Sequence, residues 1–419
     1  MSDPAPSSAL LDLSDARAMV LSRVEALPPI ELERSECRGR VIAERVVARE
    51  NIPSFENSSM DGFALRASDT STGRVRLRVM ESILAGATSR LTLQPGEAVR
   101  IMTGAPLPAG ADAVCMKEEA ELNGEYVTIT RVLHPGDYVR HVGSDTRLGD
   151  ELFTPGDVVS ASGIGVLAGQ GLTRVRAYPR PRVGVLSTGD EVVDDGSPLR
   201  PGQIRDLNRP MLMALVEESG CEAVDLGIAR DSRDDVRAAL DAAASECDVV
   251  VTTGGVSVGD VDYVKVVLAE LSPESALSLK VAMKPGKPFA FAVLGPRRVP
   301  VFGLPGNPVS TRVSFEMFVR PALRRRGGHR HLERLHLDAV LDTPLERERD
   351  GKTHLIHVDV GWGDDGRLHI LDAARRESHL LHAVSRSNAL AIVPDSSRRE
   401  AGSSVRVIVL DAESLGAVG

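Results

Sequence analysis

Between residues 183 and 326 short apolar runs alternate with helical segments, and this alternation constrains the fold more than any other feature of the chain. An apolar run at 183–186 ends in Ser187-Thr188-Gly189-Asp190-Glu191. A helix is expected at 208–219, with Pro210 in its first turn and Gly220 as its stop. A strand at 222–226, a helix at 232–244, a strand at 248–252 and a helix at 262–271 follow. The block closes with a strand at 299–304 and a helix that Asn307-Pro308 opens and that runs to about Arg326. Strands that alternate with helices imply a parallel sheet with right-handed crossovers. Ligands of such sheets bind outside the carboxyl ends of the strands, so the turns there are the first places to look for chemistry.

The flanking regions have a different texture. Residues 14–27 read as an amphipathic helix, capped by Ser14 or Asp15 and stopped by Pro28-Pro29. Runs of β type at 40–47, 75–80, 98–101, 113–117 and 126–132 are separated by turns such as Pro106-Leu107-Pro108-Ala109-Gly110, a pattern for an all-β module. After Arg324-Arg325-Arg326-Gly327-Gly328, residues 333–419 return to β alternation and imply a small separate barrel or sandwich. The length, 419 residues, suits about three domains. Aromatic residues make up only 3%, so the cores must be filled chiefly by aliphatic side chains.

Several function classes are excluded. No apolar run approaches the ~18 residues of a membrane helix, and the polar N-terminus lacks the order of a signal peptide. Cys37, Cys115, Cys221 and Cys247 are far apart, which fits neither a disulfide framework nor a zinc ribbon. A cytoplasmic protein without membrane insertion is expected. The net charge of −9 argues against broad nucleic-acid binding. An anionic small ligand remains compatible with it, provided cations are concentrated in one place.

Three of the chain's least ordinary segments fall at the strand ends. Residues 252–262 are rich in glycine (Gly254, Gly255, Gly259) around Ser257, which lets backbone N–H groups approach an anion. Asp260 and Asp262 in the same segment suit a divalent cation that neutralises phosphate; the alternative is a glycine turn with an Asp capping the next helix. Pro305-Gly306-Asn307-Pro308 is a tight turn into a helix N-terminus. Lys280, Lys284 and Lys287 interrupt an apolar segment within a Pro/Gly frame, as a phosphate clamp requires. Other patterns carry less. Gly163-Ile164-Gly165-Val166-Leu167-Ala168 mimics a dinucleotide fingerprint but follows no convincing strand of a βαβ unit. His329, His331 and His336 lie in an expected linker without a matching ligand set.

Taken together, the motifs Ser59-Met60-Asp61-Gly62, Met102-Thr103-Gly104-Ala105, Thr188-Gly189-Asp190-Glu191, Gly254-Gly255-Val256-Ser257-x-Gly259, Lys284-Pro285-Gly286-Lys287-Pro288 and Gly303-Leu304-Pro305-Gly306-Asn307-Pro308 resemble the molybdopterin molybdenumtransferases, the family that includes the C-terminal domain of gephyrin. The match runs from about Ser14 to about Arg326. It implies a multidomain α/β plus all-β fold in an elongated homodimer. Residues 1–52 and 145–178 would form a linking domain, with a β-rich module at 53–144 inserted in it. Residues 179–327 would be the molybdopterin-binding α/β domain and 333–419 a C-terminal β-barrel. The implied reaction inserts molybdate into adenylylated molybdopterin and releases AMP with Mg²⁺.

The resemblance also distributes roles. Lys280, Lys284 and Lys287 would balance phosphates and molybdate. Glu191, Asp231, Asp260 and Asp262 would hold Mg²⁺ or orient the pterin phosphate; Asp231 has the alternative of capping the helix that begins at Ser232. Asp61 and Thr103 would close the site from the partner subunit, while Gly254, Gly255, Ser257, Gly259, Pro305, Gly306, Asn307, Pro308 and Ser378 would contact the substrate. A molybdopterin adenylyltransferase and acceptor molybdoenzymes are the implied partners. The last domain departs from the family pattern. An arginine-bearing motif expected near 352–357 reads Lys352-Thr353-His354-Leu355-Ile356-His357, and a Gly-Ser-Gly-x-x-Ser-Ser segment is reduced to Ser378 within 377–383. The resemblance implies that these positions shape the molybdate side of the cleft. The alternative reading is a gephyrin-like dimeric scaffold that binds another protein.

Overall fold

The computed structural model describes residues 10–84, 86–254, 262–346, 349–373, 381–395 and 398–416. Helix α1 (Leu13–Leu21) is shorter than the pattern at 14–27 suggested, and Asp12 caps it by accepting from the Ser14 N–H at 2.7 Å. The helix stops early because later amides find other partners: Arg23 and Val24 donate to Val20 and Leu21, and Leu27 donates to the Arg326 carbonyl at 2.8 Å. Val24 and Leu27 are nonetheless buried, so the apolar spacing marked a buried face and not a helix end.

The inserted region is a six-stranded sheet of β1 (Gly62–Leu65), β2 (Val75–Ile83), β3 (Glu97–Ile101), β4 (Ala113–Met116), β5 (Ala120–Asn123) and β6 (Tyr126–Ile129), in the order β4-β1-β3-β2-β6-β5. Alternate residues of these strands fill two small apolar clusters around Phe63, Leu77 and Ile129 and around Ile83, Val99 and Ile101. Next to it, Ile30–Glu33 pairs with Arg174–Ala177, and Val46–Val47 pairs with Glu151–Phe153. Helix α2 (Ala161–Gly169) contains the false dinucleotide fingerprint. Gly163 is there for packing, since a Cβ would approach Phe153 to 3.2 Å.

The central sheet is built from β7 (Arg182–Thr188), β8 (Glu222–Ala229), β9 (Val249–Thr253), β10 (Leu277–Lys280), β12 (Pro288–Leu294) and β13 (Val299–Leu304), with β11 (Met283–Lys284) leaving it between β10 and β12. Helices α3 (Asn208–Glu218), α4 (Arg233–Glu246) and α5 (Tyr263–Leu271) connect the first strands. The order is β8-β7-β9-β13-β12-β10, in which β8, β7, β9 and β13 run parallel. The expected parallel sheet is therefore mixed, because β12 and β10 are antiparallel additions. Strand β10 alternates apolar and polar residues over only four positions, and β12 is apolar throughout, which a buried helix segment also satisfies.

The chain then forms α6 (Pro308–Ser314), a π-type turn over Phe315–Val319, and α7 (Arg320–Arg326). The few aromatics are concentrated here: Phe289, Phe291, Phe302, Phe315 and Phe318 are fully buried, and Phe289 stacks on Phe318 with ring centroids 4.3 Å apart. They anchor β12 and the π-type turn to one another.

The C-terminal region comprises β14 (His336–Leu341), β15 (Thr353–Trp362), β16 (Leu368–Ala373), β17 (Ala389–Val393) and β18 (Ser404–Val409). Their order β15-β16-β14-β18-β17 closes on itself through a β15–β17 pairing, which makes a five-stranded barrel. The barrel is not separate from the α/β region. Strand β11 pairs with β15, and Leu355, Leu390 and Ile408 join the same apolar cluster as Val185 and Phe302.

Candidate functional site

The carboxyl ends of β7, β9 and β13 are polar although they are buried. Ser187, Thr188, Thr252 and Thr253 are all nearly inaccessible. Hydrogen bonds tie the strand ends and their loops together. Asn208 Nδ2 donates to Thr253 Oγ1 at 2.9 Å and to the Gly306 carbonyl at 2.6 Å. Thr253 Oγ1 and Thr311 Oγ1 both donate to the Pro305 carbonyl, at 3.2 and 2.5 Å. Gly254 sits between them with φ +90°, and a Cβ there would lie 2.5 Å from the Thr188 carbonyl oxygen. Only glycine fits such a position. Pro305, Gly306 and Asn307 thus form a fixed rim with Pro308 in the first turn of α6. Gly255, Ser257, Gly259, Asp260 and Ser378 lie outside the described residues.

Carboxylates gather beside this rim. The Asp231 N–H donates to Asp190 Oδ1 at 3.2 Å. Burial holds the Asp231 carboxyl above the usual carboxylate range, and the charges of Glu191, Asp190 and Asp262 push it the same way. Like charges held at close quarters favour a bound cation. Asp231 does not cap the following helix. Ser232 does, with its Oγ accepting from the Asp235 N–H at 3.1 Å. Asp262 does cap α5, accepting from the Lys265 N–H at 3.2 Å, and its other oxygen pairs with Lys265 Nζ at 2.6 Å. The capping alternative raised for Asp262 therefore describes its present contacts. Among the described residues no three His, Cys, Asp or Glu side chains converge closely enough to hold a metal ion by themselves.

The lysines reach the same edge by register. Lys280 pairs with Pro288 at the start of β12, and β12 runs antiparallel to β13, so this end of the hairpin lies by the carboxyl end of β13. The Val281 N–H donates to the Lys287 carbonyl at 2.9 Å, closing the loop. Gly286 has φ +98°, and a Cβ on it would meet Met283 Cε at 2.6 Å and Ser314 Oγ at 2.7 Å. Lys280, Lys284 and Lys287 are exposed. Segments distant in sequence hold the loop on both sides: the Leu11 N–H donates to the Lys280 carbonyl at 2.9 Å, and the Thr353 N–H donates to the Ala282 carbonyl at 2.9 Å.

Asp61 and Thr103 form a corner of the β-rich module. Asp61 Oδ1 accepts from the Thr103 N–H at 2.9 Å and from Thr103 Oγ1 at 2.8 Å, and Lys117 Nζ lies 3.6 Å from Oδ2. The two Thr103 bonds, then Lys117, hold the Asp61 carboxyl below its ordinary range. Among the described residues no strand pairing, hydrogen bond or ion pair joins residues 57–140 to residues 182–326.

Sequence reasoning missed Asn208, Thr253 and Asp190 as members of the site. Asn208 read as an ordinary helix start, and no local signal shows that its amide bridges two strand ends. Asp190 was visible beside Glu191 in the same turn.

Family models match in two places: one for the MoeA N-terminal region (domain I and II) over residues 11–171, and one for a probable molybdopterin binding domain over residues 184–325. A molybdopterin molybdenumtransferase of Haemophilus influenzae is 35% identical over 387 residues, covering 92% of this chain and 94% of that one. Molybdopterin molybdenumtransferase 2 of Mycobacterium tuberculosis is 36% identical over 392 residues, covering 91% and 95%. The crystal structure of the molybdopterin biosynthesis moeA protein from Pyrococcus horikoshii superposes with a TM-score of 0.80 at 26% identity, covering 96% of this chain and all of that one.

Proposed function

The chain belongs to the molybdopterin molybdenumtransferase family, and on that premise we propose how its residues divide the work of the reaction. The protein is a transferase of molybdenum cofactor biosynthesis that inserts molybdate into adenylylated molybdopterin and releases AMP. The observation that carries the assignment of the site is the placement of the lysine loop and the carboxylate cluster toward the same end of one sheet, with a rim fixed by Asn208, Thr253 and Pro305 between them.

Cleaving a phosphoanhydride calls chiefly for positioning and for neutralising charge. Lys280, Lys284 and Lys287 make no ion pair with a described carboxylate, which leaves their charges for phosphate and molybdate oxygens. Gly254 and the turn Pro305–Pro308 present backbone to the pterin side, and Gly255, Ser257, Gly259 and Ser378 complete the substrate contacts. The donor set fits Mg²⁺: the carboxylates of Glu191, Asp190 and Asp262 crowd that of Asp231, hard oxygens of this kind with Asp260 would hold the cation, and phosphate oxygens commonly complete Mg²⁺ coordination. When bound, the cation would neutralise the phosphate charge.

Asp61 and Thr103 enter the site from a second copy of the chain, in a homodimer. The two Thr103 bonds hold the Asp61 carboxylate in a fixed position on its own module, as a group that closes the site from outside requires. The substrate would come from a molybdopterin adenylyltransferase, and the product would pass to molybdoenzymes. No helix among the described residues is long and apolar enough to cross a membrane, and a cytoplasmic location is the natural setting for this exchange. No feature of the described residues favours the scaffold alternative.

The test is molybdenum insertion by the purified protein supplied with adenylylated molybdopterin, Mg²⁺ and molybdate. AMP release and reconstitution of a cofactor-free molybdoenzyme are expected, and both should fail in Asp61→Ala and Lys284→Ala. Retention of full insertion by either variant would remove that residue from the site.

A further inference from the structure

The amino ends of β7 and β8, opposite the candidate site, open onto a second concave surface. A narrow cleft there is lined by residues 39–41, 178–181 and 219–221, with His329, just beyond α7, on one side. It shares Arg40, Arg180 and Cys221 with an adjoining cavity of about 700 Å³. Backbone bonds fix the walls to one another. The Tyr178 N–H donates to the Val41 carbonyl at 2.9 Å, the Glu222 N–H to the Pro181 carbonyl at 3.0 Å, and the His329 N–H to the Arg324 carbonyl at 3.0 Å.

Arg40 and Arg180 bring unused donors to this cleft. Arg40 Nε donates to the Glu36 carbonyl at 3.3 Å, but its buried Nη1 has no partner. Arg180 makes no hydrogen bond or ion pair with a described residue. Burial, and then the charge of Arg180, hold the Arg40 guanidinium below its ordinary value. Two cations close enough to repel are therefore held together, and no described residue of the cleft wall is a carboxylate. Glu36 acts on Arg40 less strongly than Arg180 does and forms no ion pair with it. In the wider cavity Glu222 pairs with Arg182 and Asp248 with Arg297, each at 3.0 Å, so neither is left for Arg40 or Arg180.

Two further side chains complete the lining. Nδ1 of His329 is buried and unpartnered. Burial, then the charges of Arg324 and Arg320, push its imidazole down to about 4, so the ring is neutral at pH 7 and has one hydrogen bond to donate. Cys221 does not supply the missing negative charge. Burial pushes its thiol up to about 12 although Arg180, Arg324 and Arg40 all act against that rise, and the sulfur stays protonated. Water would satisfy the free donors but leave the repulsion between the guanidinium groups. An anion answers both.

We propose that this cleft binds a phosphate group or a similar tetrahedral oxyanion, with Arg40 and Arg180 as the binding cations and His329 as a neutral donor. Guanidinium forks match the paired oxygens of such a group. The adjoining cavity has room for what the phosphate is attached to, so it is either free or carried by a nucleotide. Bound there, it would tie the segment ahead of the β-rich module to the α/β region at the end of the sheet remote from the lysine loop. The proposal takes nothing from the reading of that loop.

The test is calorimetric titration of the full-length chain with inorganic phosphate, sulfate and AMP, each in buffer free of the others. Saturable binding of at least one is expected, weakened roughly tenfold or more in Arg40→Gln and in Arg180→Gln and unchanged in Lys284→Ala. The Arg180 side chain is exposed, so its variant gives a reading even if Arg40→Gln does not fold. Phosphate and sulfate binding that follows both arginines supports a site for the free anion; AMP binding that follows them more tightly supports a nucleotide. Native affinity in both arginine variants, or no binding of any of the three to the native chain, would overturn the proposal. Loss in Lys284→Ala with retention in the arginine variants would also overturn it, because the anion would then sit at the lysine loop.

Discussion

Lys284 lies in parallel register with His354, although the first belongs to the loop of the α/β region and the second to the C-terminal barrel. The lysine loop is thereby a strand of two structures at once. Its backbone is fixed by neighbours on both sides while its charged ends stay exposed, a suitable arrangement for groups that must be positioned without being neutralised.

The first prediction concerns that loop. Lys284→Ala should lower kcat/KM for AMP release by about 10²–10³, the usual cost of removing one electrostatic contact to developing charge. Its stability should change by no more than ~0.5 kcal/mol, because the side chain is exposed. Gly286→Ala should behave differently. With φ +98° and a Cβ 2.6 Å from Met283 Cε, it should cost about 1–3 kcal/mol in urea unfolding and impair turnover by displacing both flanking lysines.

Arg209 tests a separate buried network. It pairs with Asp206 at 3.0 Å and also with Asp194 and Asp225, and the Asp206 side chain is only 2% exposed. Arg209→Ala leaves that carboxylate buried without its cation and should destabilise the chain by about 3–5 kcal/mol, read as a lower Tm. Equal stability of the variant would show that Asp206 is rescued by solvent.

The acidic cluster predicts a pH dependence of definite sign. The folded state raises the Asp231 carboxyl above 3.8, so the folded protein binds its proton more tightly than the unfolded chain. Stability from this group is present below the unfolded value and is lost as pH rises through the folded one. At neutral pH Asp231→Asn should therefore unfold at a higher temperature than the native chain, and the gap should close on acidification. A lower Tm for Asp231→Asn at neutral pH would mean that the carboxylate is held by an attraction and not opposed by its neighbours.

Mixing two inactive variants tests the homodimer. If Asp61 and Lys284 meet across subunits, co-expressing Asp61→Ala and Lys284→Ala chains restores one intact site in each mixed dimer. Random pairing then gives about a quarter of native activity. No recovery in mixed dimers would place both residues in the same subunit's site.

Much of this was legible in the chain. The strands at β7, β9 and β13 and the helices between them follow from apolar runs bounded by glycine, proline and capping residues, and Val299–Leu304 is bounded as the sequence suggests. The candidate site residues at strand ends stood out because unusual turns are visible locally. What was hidden is tertiary. Strand β10 alternates over only four residues, and β12, apolar along its length, has no alternation to show. The end of α1 was decided by a bond from Leu27 to Arg326, which no local window contains.

The bridging of the lysine loop has a consequence for how the protein comes into being. Leu11 is available early in synthesis, but Thr353 and its barrel leave the ribosome about seventy residues after Lys284. A nascent chain can complete the α/β sheet while the loop still lacks its outer strand. The candidate edge is therefore among the last parts of the molecule to become rigid, and a chain interrupted before the barrel would carry all three loop lysines while the stretch around Lys284 lacked its outer strand.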